Sequence, residues 1–442
     1  MAKRFVTVIF IIMLALCCGI LSGCKEKEQT DDTEGFSFAL QGDEYAVTGY
    51  QGKTEITVPA AYNGKKVTSI AESAFVNSNV SKVIISEGIK TIGSNAFAAA
   101  RGLYYIYIPA SVTTIGDNIF SECSALNEIE VSKDNTVFSS LDGNLYDKAQ
   151  KRLLAFSMGG GARDYALPEG VEEIRDYVFY KCYSINNLSL PSTLKKIGEL
   201  AFVGSTILSF EVAETNSVFS ALAGILYQDD GQTLYAYPSG KEGDTFETTA
   251  KKIYADAFAY SQIKTLTLSE GVQEVGDRAF MNSALEEIFI GDTITKIGDS
   301  PFQNCIYLTQ ITVSPTNANY QDIDGNLYNK SGDTFIAYAA AKDSQYFSLS
   351  EGIIEIAEFA FYGAHNLVEI SLPSTLNKIG EEAFGSYKIT TIVLHSPQPP
   401  SIKSTSFMQL SELTLYVPDN KSKQYKDAWK DFENSIKEFH ER

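Results

Sequence analysis

Leu285-Glu-Glu-Ile288-Phe289-Ile290-Gly-Asp-Thr-Ile294-Thr-Lys-Ile297-Gly298-Asp-Ser-Pro-Phe302 and Leu367-Val-Glu-Ile370-Ser-Leu372-Pro373-Ser-Thr-Leu376-Asn-Lys-Ile379-Gly380-Glu-Glu-Ala-Phe384 are one pattern written twice. Counted from the first leucine, the apolar positions fall at offsets 3, 5, 9, 12 and 17 in both. The stretches Leu103 to Phe120 and Ile185 to Phe202 give the same series. The closing ring recurs at Phe75, Phe97, Phe120, Phe179, Phe202, Phe258, Phe280, Phe302, Phe361, Phe384 and Phe407. Spacing within runs is 22 or 23 residues and rises to 59, 56 and 59 across three gaps. A fixed period of this length marks a solenoid and takes precedence over any element-by-element reading.

Each part of the unit has a physical reading. The alternation Ile288-Phe289-Ile290 suits a half-buried strand. Proline, or Ser-Glu-Gly as in Ser269-Glu270-Gly271, ends that strand and turns the chain. A second short extended piece ends in Ile-Gly, where glycine is expected to permit a tight bend. The Ala-Phe element then plugs the coil from the turn. One coil cannot bury its own apolar set, whereas stacked coils share a continuous core with strands about 4.8 Å apart. About a dozen coils are expected, giving a body on the order of 50–60 Å long at that spacing.

The pattern Leu-x-x-Ile-x-Leu-Pro-x-x-Leu-x-x-Ile-Gly-x-x-Ala-Phe resembles the BspA-type leucine-rich repeat of bacterial surface proteins over roughly residues 67–417. The fold expected is a mainly β solenoid of 22–23-residue repeats, with three β-hairpin inserts, an N-terminal β cap and a C-terminal helical cap. The inserts are Val137 to Tyr146, Val218 to Tyr227 and Tyr320 to Tyr328, each followed by a polar turn and a second apolar piece such as Leu153-Leu154-Ala155-Phe156. They are expected to protrude from one edge without breaking the stack. On that reading Ile129-Glu130-Val131 is completed by Val171, Ile174 and Phe179 beyond the insert.

The ends differ in kind. Lys3 and Arg4 precede the apolar run Phe5 to Leu21, the arrangement of a secretion signal. Leu21-Ser22-Gly23-Cys24 resembles the lipobox of bacterial lipoproteins, which implies a diacylglycerol on Cys24 and a cell-envelope location, at the outer membrane or cell surface. The organisation expected is a lipoprotein signal peptide over residues 1–23, a flexible polar tether over 24–35, an N-terminal β cap over 36–66, the solenoid over 67–417 and a capping segment over 418–442. Tyr425, Trp429, Phe432 and Ile436 are spaced as one helix face, with Asp419 or Asn420 as its cap.

Chemistry-bearing motifs are sparse. His365, His395 and His440 form no metal-ligand pair, and the sequence holds no nucleophile elbow or phosphate loop. Cys123, Cys182 and Cys305 each lie three residues after a plug phenylalanine, where other repeats carry Ser or Ala, so buried free thiols are expected. Asp322-Ile323-Asp324-Gly325-Asn326 reads as a turn, since its sister inserts do the same work with fewer acids or none. No metal, no cofactor and no enzymatic activity are expected. A hydrolase would need converging carboxylates that spacing does not single out.

Lys and Arg total 36 against 55 Asp and Glu, a formal charge of −19, which repels nucleic acid. Binding is expected on the outward face of the strand ladder. Most outward positions there are polar, but Tyr105, Tyr107 and Phe289 are aromatic, with Ile84 beside the first two and Glu128, Glu130 and Glu287 around them. The resemblance implies an adhesin or protein-interaction scaffold that binds host matrix or bacterial surface proteins. A glycan-binding accessory protein of the envelope is the alternative, with the aromatic rings stacking on sugars. The chain is expected to be a monomer that meets the membrane through its N-terminal lipid only.

Overall fold

The computed structural model describes residues 32–161, 163–386, 388–408, 410 and 412–439. The expected signal peptide, Cys24, most of the tether and His440 lie outside the described residues. Among the described residues no helix is long and apolar enough to cross a membrane.

The chain winds as the repeat dictates. In one coil the strand Tyr105–Ile108 is followed by the two-residue strand Thr114–Ile115, then the Phe120 turn, then the strand Glu128–Val131 one coil further on. Long strands pair in parallel and in register, Ile106 with Ile129 and Ile108 with Val131. Short strands form a second parallel ladder, Ile92 with Ile115. Period-2 alternation places Ile106 and Ile108 inside, fully buried, and Tyr105 and Tyr107 outside.

The plug turns make a third column that is neither strand nor helix. Phe97 N–H donates to Ile119 O at 3.0 Å, Phe258 N–H to Ala279 O at 2.8 Å and Phe361 N–H to Ala383 O at 2.8 Å, each one coil on. The residue two before each ring is left-handed: Asn95 at φ 56°, Asp256 at 57° and Phe359 at 55°. Such a conformation costs a non-glycine residue roughly 1–2 kcal/mol. The coil-to-coil hydrogen bonds and ring burial offset that cost. Phe361 stacks on Phe384 at 5.2 Å, and Phe384 on Phe407 at 5.5 Å.

The structure corrects the role of the Ile-Gly glycines. Gly276 and Gly380 are among the Ile-Gly or Val-Gly set whose φ is not positive, so no special bend requires them. A Cβ on Gly276 would lie 2.5 Å from Ala255 N, and one on Gly380 would lie 2.5 Å from Glu358 N. Close approach of consecutive coils is what excludes a side chain there.

The hairpins are wedged into the stack and are not appended to its edge. Leu145, Tyr146 and Leu153 are fully buried, and the outward groups of the preceding ladder strand bond to the hairpin: Ile129 N–H donates to Gly143 O at 2.9 Å. Each insert supplies its own coil half. Leu153 pairs with Ile174 on the short ladder, and Phe156 sits 5.0 Å from Phe179 as an additional plug. The coil opened by Ile129 and Val131 is therefore completed by Leu153 and Phe156. Val171, Ile174 and Phe179 belong to the next coil, opened by Arg163–Ala166. Tyr237 against Phe258 and Tyr338 against Phe361 repeat the arrangement. The hairpins cut the long-strand ladder into sheets of four, three, four and five strands. The plug-turn edge stays joined across the first insert, where Lys181 Nζ lies 2.9 Å from Glu122 and Arg175 pairs with Asp117.

A buried asparagine anchors each insert. Asn317 Nδ2 donates to Gly291 O at 2.7 Å and Ile294 O at 3.1 Å, while its Oδ1 accepts from Asn319 N–H and Tyr320 N–H, both at 2.8 Å. Asn135 and Asn216 make the corresponding four bonds. The hairpin tips Asp142-Gly143, Ala223-Gly224 and Asp324-Gly325 have positive φ at both residues, a type I′ turn.

At the start, Phe36–Gln41 and Glu44–Tyr50 form a hairpin that covers the first coil, and Glu55–Val58 is already a rung of the first long ladder. At the end, the helix Ser422–Ala428 buries Tyr425 and is followed by a 3-10 turn and a strand, Ile436–Glu438. Ile436 thus lies on a ladder strand paired with Leu415, not on the helix face with Tyr425. The helix begins after Lys421 with no side-chain cap from its own N-cap, and Glu438 Oε1 accepts Ser422 N–H at 3.0 Å instead.

Cys123, Cys182 and Cys305 are buried and unpaired. Cys123 Sγ lies 3.1 Å from Phe97 O and Cys305 Sγ 3.0 Å from Phe280 O. Burial pushes the thiols of Cys123 and Cys305 up to about 12, which leaves them protonated and unreactive.

Candidate binding surface on the first ladder

Four parallel strands, Glu55–Val58, Lys82–Ile85, Tyr105–Ile108 and Glu128–Val131, form the first long ladder. Their inner residues are aliphatic because that face closes the core, which leaves two outward residues per strand. Register aligns them into two rows: Glu55, Lys82, Tyr105 and Glu128 in one, Thr57, Ile84, Tyr107 and Glu130 in the other. Five of the seven residues expected to bind, Ile84, Tyr105, Tyr107, Glu128 and Glu130, share this face. Glu287 and Phe289 do not join them. They lie on the third long ladder, beyond two hairpins, where Phe289 is flanked by Thr267 and Thr312.

The two tyrosines differ in state. Tyr105 Oη donates to Glu130 Oε2 at 2.5 Å, and Lys82 Nζ stands 5.4 Å from the centre of its ring. Burial first, and then the Glu130 carboxylate, push the Tyr105 phenol above its ordinary range, so it remains a donor. Tyr107 is half-buried and makes no hydrogen bond through its hydroxyl to another described residue. Ile84, 38% exposed, is its neighbour across the ladder, and the pair forms an apolar centre with Glu128 and Glu130 on one side and Thr57 and Lys82 on the other. A cleft of about 500 Å³ adjoins this centre, bounded by Ile84, Lys82, Thr57 and the N-terminal residues Phe36, Tyr50 and Lys53.

The strand that carries Thr57 falls in the stretch assigned to the cap by sequence. The signal was present: Ile56-Thr57-Val58-Pro59 repeats Ile106-Tyr107-Ile108-Pro109. The tie between Tyr105 and Glu130 had no sequence signal, because it depends on rotamers across adjacent strands.

A second cleft, of about 250 Å³, lies beside the second insert and contains Glu199, Asp256 and Arg278. Asp256 accepts both bonds of a guanidinium fork, at 3.0 Å from Arg278 Nε and 2.9 Å from Arg278 Nη2. Burial raises the Asp256 carboxyl and Arg278 opposes that rise. With both oxygens engaged, Asp256 clamps one coil to the next. Among the described residues no group of three or more His, Cys, Asp or Glu side chains is placed to hold a metal ion.

The profile of the family described as BspA type leucine rich repeat region, present in six copies, matches residues 47–142, 154–223, 242–336 and 333–439. The chain belongs to the BspA-type leucine-rich repeat family. No curated protein matches this BspA-type chain. Among solved structures, a leucine-rich repeat protein from Eubacterium ventriosum is similar at 20% identity, over 85% of this chain and 93% of its own, with a TM-score of 0.48. The pneumococcal vaccine antigen PcpA is similar at 16% identity, over 92% and 98% of the two chains, with a TM-score of 0.37. A leucine-rich cell surface protein from Faecalibacterium prausnitzii is similar at 21% identity, over 82% and 93%, with a TM-score of 0.35.

Proposed function

We propose that this BspA-type chain is a surface-exposed, lipid-anchored binding scaffold, an adhesin or protein-interaction module that engages protein partners through the first ladder. The observation that carries the reading is the pairing of Ile84 and Tyr107 in register, an apolar centre bordered by Glu128 and Glu130. Aromatic anchors of this kind, held on a rigid sheet, contribute most of the energy of a protein interface. Glu128, Glu130 and the formal charge of −19 favour a partner with a basic patch. Family membership supports a scaffold role, and Cys24 is the residue proposed to carry the lipid.

The test is affinity capture from host matrix and bacterial surface material, comparing the wild-type chain with the Tyr105→Ala, Tyr107→Ala double variant. Loss of the captured proteins with the variant is expected. Unchanged capture would remove this face from the account. For the anchor, Cys24→Ser should release the protein from the membrane fraction, and retention there would refute lipidation at that residue.

A further inference from the structure

Each insert ends one long ladder and a new one begins after it, so the first strand of each new ladder has an edge that pairs with no strand among the described residues. These strands are Arg163–Ala166, Thr245–Thr248 and Tyr346–Ser348. Exposed edges recruit other chains, and proteins normally blunt them. Two of the three are blunted here. At the first, Tyr165 Oη meets Tyr146 Oη at 3.2 Å and Asn144 Nδ2 at 3.3 Å, closing the gap to the hairpin. At the third, the Ser344 hydroxyl accepts the Tyr346 N–H at 3.3 Å and donates to Tyr346 O at 2.5 Å, capping the outward main-chain groups of the first residue of that edge.

The second edge lacks both devices. Gly243 stands where the third insert has Ser344, and Ile225 stands where the other hairpins have Asn144 and Asn326. Thr265 N–H donates to Asp244 O at 2.9 Å and Ser269 N–H to Thr248 O at 3.0 Å, so alternate residues of Thr245–Thr248 face the next strand. Thr245 and Glu247 therefore turn their N–H and C=O groups away from the sheet. Glu247 borders a groove of about 610 Å³ between this strand and the second hairpin, and Thr245 lies just beyond the groove's lining. Its wall includes Phe246, Tyr227 and Leu222, and Leu222 is 70% exposed, more than any other large apolar residue described. Asp230 and Glu247 also line it, and the two bases beside it are both engaged, Lys251 with Gln232 Oε1 and Lys241 with Ala223 O, each at 2.9 Å.

We propose that this groove binds an extended, basic peptide segment of a partner as an added strand on Thr245–Thr248. Four main-chain groups of Thr245 and Glu247 would fix the backbone, as in other strand-addition sites. An apolar side chain would lie against Leu222 and Phe246, and a lysine or arginine would meet Asp230 and Glu247. The site is separate from the first ladder and does not depend on it.

The probe is a fluorescent, end-capped heptapeptide of alternating valine and lysine, titrated into the full chain and followed by anisotropy and by hydrogen exchange of the Thr245 and Glu247 amides. Saturable binding with protection of both amides is expected. N-methylation of alternate peptide amides, replacement of its lysines by glutamate, or Leu222→Asp in the protein should each weaken binding by about tenfold or more. Tyr107→Ala should leave it unchanged, which keeps this result distinct from that of the first ladder. Equal binding of the N-methylated peptide, or no protection of either amide at millimolar peptide, would overturn the proposal.

Discussion

Replacing Asn317 by alanine removes the side chain that ties the third insert to the coil beneath it. Four hydrogen bonds are lost: two donated to Gly291 O and Ile294 O, and two accepted from Asn319 N–H and Tyr320 N–H. Asn317 is fully buried. Ile294 O keeps a second donor, Asn319 Nδ2 at 3.3 Å, and the amides of exposed Asn319 and half-buried Tyr320 gain access to water. Gly291 O bears the larger penalty. At about 1 kcal/mol net for each bond, with up to 1–3 kcal/mol for a group left unsatisfied, the expected loss is about 3–4 kcal/mol. Asn317→Asp should be at least as damaging at neutral pH, because it turns a carboxylate toward two carbonyl oxygens. Its deficit should shrink in acid as the carboxyl takes up a proton and becomes a donor. In a solenoid each coil leans on its neighbours, so the loss should appear as opening of the third insert. Urea unfolding supplies the total, and hydrogen exchange at Asn319 and Tyr320 locates it. A loss below about 1 kcal/mol, or exchange unchanged at both amides, would refute the anchoring role.

Three other outcomes follow from the same stack. Phe280→Ala should cost about 3–5 kcal/mol in urea unfolding, since the ring is almost wholly buried and stacks on Phe302 at 5.2 Å. Gly380→Ala should destabilise by about 1–3 kcal/mol through overlap with Glu358 N, whereas Gly102→Ala, whose nearest contact would be Val80 O at 3.5 Å, should be close to neutral by the same assay. Glu122 is held below its ordinary range by Lys181 and then Arg101, each 2.9 Å away. Its contribution is therefore present above the usual glutamate range and is lost as pH falls through the depressed value. Glu122→Gln should cost about 1 kcal/mol at neutral pH, and its difference from the wild type, followed by urea unfolding against pH, should vanish in acid.

Much of this architecture was legible because the coil interior admits few residue types at fixed positions. Ile288, Ile290, Ile294 and Phe302 recur in phase since they fill the shared interior between coils: Ile288 pairs with Ile311, Ile290 with Val313, and Phe302 stacks on Phe280. The inserts were legible as hairpins but not as parts of the stack. Their plugs follow the short strand by three residues where a regular repeat uses five, as Leu153 to Phe156 shows against Ile174 to Phe179. Two of the three plugs are tyrosine, Tyr237 and Tyr338, which hides them from a search for phenylalanine. The rungs that follow the inserts, such as Arg163–Ala166, have lost the aliphatic pattern altogether. At the C-terminus, spacings of 4, 3 and 4 suggested one helix. The backbone leaves the helix at Trp429, whose Nε1 donates to Pro400 O at 3.0 Å, and Ile436 continues the ladder. The binding face was legible as far as register allows, because outward positions follow from inward ones. That Tyr105 is tied to Glu130 while Tyr107 is not depends on side-chain directions that spacing does not encode.

Tyrosine-selective radical footprinting of the full chain, alone and with a captured partner bound, tests the binding face most directly. Tyr183, Tyr307 and Tyr346 are 56%, 56% and 66% exposed and lie away from the first ladder, so they serve as internal references. The account predicts that the partner shields Tyr107 and leaves those three labelled as before. Shielding of Tyr183, Tyr307 or Tyr346 with Tyr107 labelled as in the free chain would contradict it.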